Sequence, residues 1–283
     1  MIDVIKDTLF DSIKLLPFLF LAYLLMEYLE HKTGNKTKDI VKKSGKLGPL
    51  WGGIIGIFPQ CGFSAAAANL YAGKIITMGT LIAVFLSTSD EMLPILISEA
   101  APAGLILKIL AIKLVVGIIA GFIIDLVINV IGKTKKVEPE EAVGHMCEHD
   151  HCDCEHGIFK SALKHTINIF IFITIITFAI NTLIHFIGEE TIEKAIAGVP
   201  VLGILVSSIF GLIPNCAGSV IITELYLSNL ISFGSMIAGL LVGSGIGILV
   251  LFKSNKNIKE NLTITGLLML VGIIVGLIID FVI

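Results

Sequence analysis

An internal repeat constrains this chain more than any other feature of its sequence. Residues 56–128 align without a gap onto residues 211–283, and 25 of the 73 aligned positions are identical. Isoleucine matches are expected between any two apolar segments, but matched Pro, Cys, Tyr, Gly and Asp at one fixed offset are not. The pairs include Pro59/Pro214, Cys61/Cys216, Ser64/Ser219, Tyr71/Tyr226 and Gly79/Gly234. The sequence therefore predicts two halves built from the same parts, 155 residues apart.

Both halves are apolar enough to lie in a membrane. The chain is 55% hydrophobic and 15% charged, whereas a soluble domain carries about 25% charged residues. Its mean hydropathy is +0.95. Eight apolar segments have about the 20 residues that a spanning helix needs: 12–30, 48–72, 75–98, 104–131, 163–187, 197–227, 229–252 and 262–283. The acidic N-terminus lacks the basic region of a cleaved signal peptide, so the first segment is predicted to stay as a helix.

The lysines predict how these segments cross the bilayer. If 48–72 and 197–227 are re-entrant hairpins, 15 of the 20 lysines fall on one face, in loops 31–46, 73–74, 132–164 and 253–260. If every segment spans, the lysine bias is weak, so the positive-inside rule favours the hairpins. Each half then has three spans, an odd number, which makes the halves inverted-topology repeats. The alternative is an ordinary span with a kink at proline.

The predicted fold is thus an all-α polytopic membrane protein with two inverted-topology repeats. Each repeat has three spanning helices plus a Pro-broken re-entrant hairpin. The first transmembrane repeat covers 1–131, a cytosolic linker covers 132–160, and the second repeat covers 161–283. A multi-pass protein of the cell membrane with both termini outside follows from the lysine-rich face being cytosolic.

Polar residues recur where proline breaks the two hairpins. Proline leaves backbone carbonyls without their helical hydrogen-bond partners. Irregular backbone occurs in a membrane only where it is buried in protein or lines a water-filled cavity. Inverted-repeat transporters hold substrate at such breaks near the midplane. The predicted substrate-binding residues there are Gln60, Cys61, Ser64, Asn215, Cys216 and Ser219. Thiols suit soft or borderline metals and oxygens suit harder ones, although a buried Cys is often only a small apolar side chain.

Three acids inside apolar segments are also predicted to bind substrate or carry protons: Asp90, Glu91 and Glu224. An acid at the bilayer centre costs roughly 2.5–3.5 kcal/mol on insertion scales. The alternative for Asp90 and Glu91 is a wetter part of the helix, and for Glu224 an interfacial position at a helix end.

Other intramembrane residues are predicted to be structural. Asp125 and Asp280 lie near helix ends and are expected at the interface, and Lys113 is expected to snorkel toward it. The small-residue spacings at Gly117/Gly121 and Gly272/Gly276 favour close helix packing. Gly243–Gly247 is interpreted as a hinge or a close backbone approach.

The central linker contains a tract rich in His and Cys, H-M-C-E-H-D-H-C-D-C-E-H. Such tracts are typical of metal binding, and imidazole and thiolate suit Zn, Cu and Ni. The spacing is too irregular for a zinc finger, so a flexible chelating tract is predicted. Its candidate ligands are His145, Cys147, His149, Asp150, His151, Cys152, Asp153, Cys154 and His156. A polar linker without metal is the alternative.

Several classes of function are disfavoured. All 20 basic residues are lysine, which disfavours bidentate recognition of phosphate, and nucleic-acid binding has no support. No nucleophile elbow or Ser-His-Asp arrangement appears, so no enzyme is predicted, and no cofactor is expected. The cysteines do not form a disulfide pattern. The expected partners are a metal ion and the lipid bilayer, with a homo-oligomer as an open alternative.

The whole pattern resembles the putative ten-transmembrane heavy-metal exporter family, whose members are also labelled putative manganese transporters or arsenic efflux proteins. The resemblance covers nearly the whole chain. It rests on G-I-F-P-Q-C-G at 56–62, S-T-S-D-E at 87–91 and G-L-I-P-N-C at 211–216. It implies export of a metal or metalloid. Ten segments equal three spans plus two half-helices in each half.

The chain is accordingly predicted to export divalent heavy-metal ions of the Mn or Zn type from the cytosol. No nucleotide-binding motif is present, so an ion gradient is expected to drive transport. Two alternatives stay open. One is an arsenical or metalloid efflux permease, which would depend on the thiols. The other is a metal-responsive membrane sensor without flux, which would need the central tract only.

Overall fold

The computed structural model describes residues 13, 16–17, 20–21, 24, 47–58, 61–89, 92–131, 158–187, 200–214 and 216–282. The regular structure of these residues is helical, which confirms the all-α prediction. Eleven helices have defined bounds within them: α1 (Gly48–Gly56), α2 (Cys61–Ala72), α3 (Met78–Ser87), α4 (Met92–Ser98), α5 (Ala103–Ile131), α6 (Ile158–Ile187), α7 (Pro200–Gly211), α8 (Cys216–Leu227), α9 (Phe233–Val242), α10 (Gly247–Ser254) and α11 (Ile258–Val282).

Helix bounds in the two halves recur at the offset of the sequence repeat. Helices α8 and α9 begin and end 155 residues after α2 and α3, and α11 begins 155 residues after α5. The starts of α3 and α9 share the same capping chemistry. Thr77 precedes α3 and accepts from the Thr80 amide, and Ser232 precedes α9 and accepts from the Ser235 amide, both at 3.1 Å. Thr and Ser in extended conformation are favoured N-caps.

Four stretches in the described part of the chain are long and apolar enough to cross a membrane. They are Met78–Ser98, Ala103–Val130, Phe233–Ser254 and Ile258–Val282. A helical membrane protein with several spanning segments is what the composition predicted, and these stretches agree with it.

Two of the predicted spans are not continuous helices. The segment 75–98 divides into α3 and α4, and 229–252 divides into α9 and α10. The first break begins where Thr88 leaves the helical region, with ψ 126°. In the second, Gly243 is extended and Gly245 has a φ of 53°, a left-handed conformation that glycine adopts readily. Gly243–Gly247 is interpreted from the sequence as a hinge or a close backbone approach, and Gly247 shows the close approach, since a Cβ on it would lie 2.7 Å from the Phe85 ring.

Glycines bring the helices of each half into close contact. Helix α3 packs between α1 and α5, and α9 packs between α7 and α11. A Cβ on Gly117 would lie 2.9 Å from the Ala83 carbonyl oxygen, and one on Gly272 would lie 2.9 Å from that of Ala238. Close helix packing, as predicted for these glycines, is confirmed.

The two halves contact each other through their half-helices. Helix α2 packs against α10, and α4 packs against α8. A Cβ on Gly247 would lie 2.9 Å from the Ser64 Cβ, and further along both helices the Ser254 hydroxyl donates to the Asn69 side-chain oxygen at 2.7 Å. Helices α2 and α10 therefore lie side by side and run in the same direction.

Candidate transport site

The breaks that follow α3 and α9 lie in the interior of the described structure, whereas Phe58 in the break after α1 is 58% exposed. Gly56, the last residue of α1, contacts the last turn of α3, where a Cβ on it would overlap the Ser87 hydroxyl and lie 2.7 Å from the Val84 carbonyl oxygen. A Cβ on Gly247, at the start of α10, would lie 2.7 Å from the Phe85 ring. Ser87 itself is fully buried. The breaks after α1, α3 and α9 therefore lie close together.

Hydroxyl groups satisfy the end of α3 at the first break. Ser87 donates to the Ala83 carbonyl at 2.7 Å, and Thr88 donates to the Val84 carbonyl at 2.8 Å. Ser89 donates to the carbonyl of Ile57 in the break after α1. The Val84 carbonyl also accepts from the Thr88 amide at 3.0 Å, so the hydroxyls add hydrogen bonds near the end of α3 to carbonyls that already have backbone donors.

The second break uses a lysine instead. Val242 and Gly243 align with Ser87 and Thr88, so these hydroxyls are absent. The Lys113 ammonium, which is 1% exposed, donates to the Leu240 carbonyl near the end of α9. The predicted snorkelling of Lys113 to the interface is therefore wrong. Residue 113 lies ten residues inside α5, a depth of about 15 Å, which is half of a hydrocarbon core about 30 Å thick.

Three serine side chains surround the second break. Ser244 within it is 1% exposed, and its hydroxyl has no hydrogen-bond partner among the described residues. A Cβ on Gly243 would lie 3.6 Å from the Ser219 hydroxyl, and one on Gly247 would lie 3.0 Å from the Ser64 hydroxyl. Two of the predicted site residues thus lie at the two ends of one break. Ser244 was missed because a lone serine between glycines suggests only a flexible turn.

The structure describes only some of the remaining candidate residues. Cys61 and Cys216 are the first residues of α2 and α8, one turn before Ser64 and Ser219, so the backbone of both cysteines lies near the breaks. The other candidates at the breaks and the whole central tract lie outside the described residues: Gln60, Asp90, Glu91, Asn215 and 145–156. Within the described ranges, no three His, Cys, Asp or Glu side chains gather as a metal site would require.

Glu224 does not lie in the buried centre. It is exposed on α8, five residues beyond Ser219. Its repeat equivalent, Asn69, is fully buried and accepts a hydrogen bond from Ser254. The repeat symmetry of the helices therefore does not extend to this pair of side chains.

Comparison with known proteins is informative at the level of the family. A family model described as "Putative, 10TM heavy-metal exporter" matches residues 1–186 and again residues 161–283. No curated protein and no solved structure matches the chain. The two matches together cover the whole chain, in agreement with the apolar helices and their buried breaks. The chain therefore belongs to this family, which its sequence pattern also resembles.

Proposed function

We propose that this protein exports divalent heavy-metal ions of the Mn or Zn type from the cytosol, driven by an ion gradient. The observation that carries this proposal is the meeting of helix breaks from both halves in the buried interior. Broken helices expose backbone groups that are otherwise paired, and in transporters such groups bind ions near the midplane.

Contacts of α1 support a re-entrant hairpin over 48–72. A Cβ on Gly48 would lie 3.4 Å from the Thr80 Cβ at the start of α3, and one on Gly56 would lie 3.2 Å from the Ser87 Cβ at its end. Helix α1 therefore runs parallel to α3 from the same level. Helix α2 ends at Ala72, shortly before α3 begins. Both ends of the segment accordingly lie toward one face.

Two lysine contacts support an inverted relationship between the repeats. Lys74 precedes α3 and forms an ion pair of 3.3 Å with Glu260 at the start of α11. Lys108, near the start of α5, lies 4.5 Å from the ring centroid of Phe233 at the start of α9. Helices α3 and α4 connect Lys74 to the start of α5, where Lys108 lies, so the two contacts lie at opposite ends of α3–α4. Helix α3 begins at the Lys74 contact and α9 begins at the Lys108 contact, so α3 and α9 begin at opposite ends. We assign the Lys74 end to the cytosol because the sequence predicts that the lysine-rich loops share its face.

The proposed ligands combine oxygen and sulfur. Hydroxyl groups of Ser64, Ser219 and Ser244 lie at the second break, and we propose that they act with the thiols of Cys61 and Cys216. Carboxylates and amides from Gln60, Asp90, Glu91 and Asn215 complete the proposed set. Glu224, which is exposed on α8, is proposed to carry protons. Oxygen ligands suit Mn²⁺, while thiolate and imidazole suit Zn²⁺. The tract at 145–156 would collect the ion at the cytosolic face.

Flux in proteoliposomes tests this proposal. Purified protein is offered Mn²⁺, Zn²⁺, Cd²⁺ or arsenite under an imposed proton or sodium gradient, and the accumulated element is measured by mass spectrometry. Gradient-dependent movement of a divalent ion is expected. Movement of arsenite alone would indicate a metalloid permease. Metal binding to the central tract without flux of any element would indicate a sensor.

Variants connect the flux to the proposed site. Replacing both Cys61 and Cys216 with serine should lower flux at least tenfold, because thiolates bind soft and borderline metals far better than hydroxyls do. Removing residues 145–156 should raise the half-saturating metal concentration and leave the maximal rate unchanged, since the sequence predicts that the tract belongs to a loop. Unchanged flux after the double cysteine replacement would contradict the proposed ligand set. Unchanged flux after Glu224→Gln would contradict the proposed role of Glu224 in proton transfer.

A further inference from the structure

The seam between α2 and α10 leads from the second helix break to the end of the helices that we assign to the cytosol. At the break, a Cβ on Gly247 would lie 2.9 Å from the Ser64 Cβ. Five residues further along α2, Asn69 is fully buried and accepts from the Ser254 hydroxyl at 2.7 Å. Parting of α2 from α10 would therefore open the break toward that end.

Glu260 joins the two repeats where this seam reaches the surface. One of its carboxylate oxygens accepts from the Tyr71 hydroxyl at the end of α2 and from the Lys74 ammonium at 3.3 Å. The other oxygen accepts from the side-chain amide of Asn257, just before α11, at 3.3 Å. The Lys74 ammonium also lies 5.0 Å from the centroid of the Tyr71 ring. We call Tyr71, Lys74 and Glu260 the latch.

Each side of the latch is fixed within its own repeat. Asn255 after α10 and Asn261 in α11 bond each other twice, both times at 2.8 Å, and Asn261 is fully buried. These bonds fix the start of α11, which carries Glu260, to the end of α10. On the other side, the Ile75 amide donates to the Leu70 carbonyl at 2.9 Å and closes the turn after α2. The latch therefore holds α2 against α10.

The second repeat cannot form the same latch at its own end of the helices. Leu105 stands in place of Glu260 and cannot accept a hydrogen bond through its side chain, and Asn229 stands in place of Lys74. Lys74 and Asn229 both have a φ of 57°, a left-handed conformation that asparagine adopts more readily than lysine. The first repeat thus keeps a lysine at a conformational cost, and the ammonium of that lysine is what contacts Glu260.

We propose that the latch closes a cytosolic gate along the seam between α2 and α10, and that its release opens the second break to the cytosol. Inverted-repeat transporters expose a central site to one side at a time. Because the repeat equivalents cannot form the same bonds, the latch favours the state that is closed to the cytosol. Only the statement that the gate admits a metal ion rests on the proposed function.

Thiol labelling of a cysteine placed in the seam tests the gate. Ala68 is fully buried one turn after Ser64 on the same face of α2, and its repeat equivalent, Thr223, is fully buried as well. Ala68→Cys and Thr223→Cys are made separately in a chain whose own cysteines are replaced by serine. Their rates of reaction with a maleimide are compared in detergent. Tyr71→Phe combined with Lys74→Asn releases the latch.

Latch release should raise the labelling rate of Ala68→Cys about tenfold and leave that of Thr223→Cys unchanged. Tenfold corresponds to roughly 1.4 kcal/mol, about the size of one hydrogen bond to a charged group. Tyr226→Phe is the matched control, because it removes the repeat-equivalent hydroxyl, and it should change neither rate. An unchanged rate at Ala68→Cys would overturn the proposal. So would equal acceleration at both cysteines, which a general loss of packing would produce.

Lys74→Asn alone separates a gate from a contact that only stabilises the fold. Because asparagine suits the left-handed conformation, this variant should melt no lower than the parent chain while Ala68→Cys is labelled faster. A lower melting temperature with an unchanged labelling rate would overturn the proposal. If a cysteine variant fails to fold, hydrogen exchange replaces labelling in the chain with its native cysteines. Latch release should then speed exchange in α2 and not in α8, and unchanged exchange in α2 would refute the gate.

Labelling separates this inference from the proposed function. Faster labelling of Ala68→Cys on latch release, with no metal flux from wild-type proteoliposomes, would retain the gate and refute export. Metal flux from wild type, with labelling that latch release does not change, would retain export and refute the gate.

Discussion

Asp125 holds the N-terminus of α3 through the Gly79 amide, which donates to one carboxylate oxygen at 2.8 Å. The other oxygen accepts from the Thr77 hydroxyl at 2.7 Å. The second repeat has the same arrangement, with the Gly234 amide donating to Asp280 at 2.8 Å. A carboxylate at a helix N-terminus pairs with unsatisfied amides and interacts favourably with the helix dipole. Asp125 thus links α3 to α5, and Asp280 links α9 to α11.

Replacing Asp125 with alanine should therefore destabilise the protein without a direct effect on metal binding. Hydrogen bonds to charged groups contribute about 1.5–3 kcal/mol, so the melting temperature should fall by roughly 3–10 °C. Asp280→Ala should behave alike because its contacts are the same. Asp125→Asn keeps an acceptor for the Gly79 amide and should lose less. A wild-type melting temperature for Asp125→Ala would show that the clamp is not needed.

Sequence patterning predicted the parts of this fold that depend on local chemistry. Apolar length predicted the four stretches that are long enough to cross a membrane in the described part of the chain. The repeat predicted matching helix bounds, and glycine spacing predicted the close contacts of α5 and α11 with their neighbours. The same repeat could have revealed the aspartate clamp, because Asp125/Asp280 recurs together with Gly79/Gly234. An interfacial position was predicted because only the location of the acids near helix ends was considered.

Features that depend on tertiary contacts were not predictable in the same way. The first break follows Ser87 in a stretch, 80–98, that has no glycine, and the contact of Ser89 with Ile57 accompanies it. Nothing local to 75–98 indicates that contact. Lys113 was misplaced because its partner, Leu240, lies 127 residues away in the other repeat. Its depth within an apolar segment was the available signal.

Glycine contacts provide a prediction with an internal control. A Cβ on Gly121 would lie 2.6 Å from the Gly79 carbonyl oxygen and 2.8 Å from the Pro49 Cβ, whereas one on Gly104 of the same helix would meet nothing within 4 Å. Gly121→Ala should lower the melting temperature by several degrees, because rigid backbone has to move. Gly104→Ala should leave it unchanged or raise it slightly, since alanine favours a helix by up to about 1 kcal/mol. Equal behaviour of the two variants would contradict the close packing of α3 on α5.

Ser244 and its repeat equivalent Ser89 should respond differently to removal of their hydroxyls. Ser89 donates to the Ile57 carbonyl, whereas Ser244 has no hydrogen-bond partner among the described residues. Ser89→Ala should therefore lower the melting temperature. Ser244→Ala should keep or raise it, because a buried polar group without a partner is itself unfavourable.

If Ser244 binds the transported ion, Ser244→Ala should also raise the half-saturating metal concentration in flux assays by about tenfold. That factor equals roughly 1.4 kcal/mol, the size of one neutral hydrogen bond or ligand contact. A stable Ser244→Ala protein with wild-type saturation would remove Ser244 from the proposed site. The matched control is the flux of the Ser89→Ala variant, measured at a temperature well below its melting transition.

Labelling of engineered cysteines tests the inverted arrangement. Lys256 is exposed between α10 and α11, and Lys108 is exposed near the start of α5. In a chain whose own cysteines are replaced by serine, Lys74→Cys and Lys256→Cys should react with an impermeant maleimide only from the cytosolic side. Lys108→Cys should react only from outside, because it contacts Phe233 at the opposite end of the helices. Labelling of Lys74→Cys and Lys108→Cys from the same side would mean that α3–α4 does not cross the membrane, and the inverted repeat would fail with it.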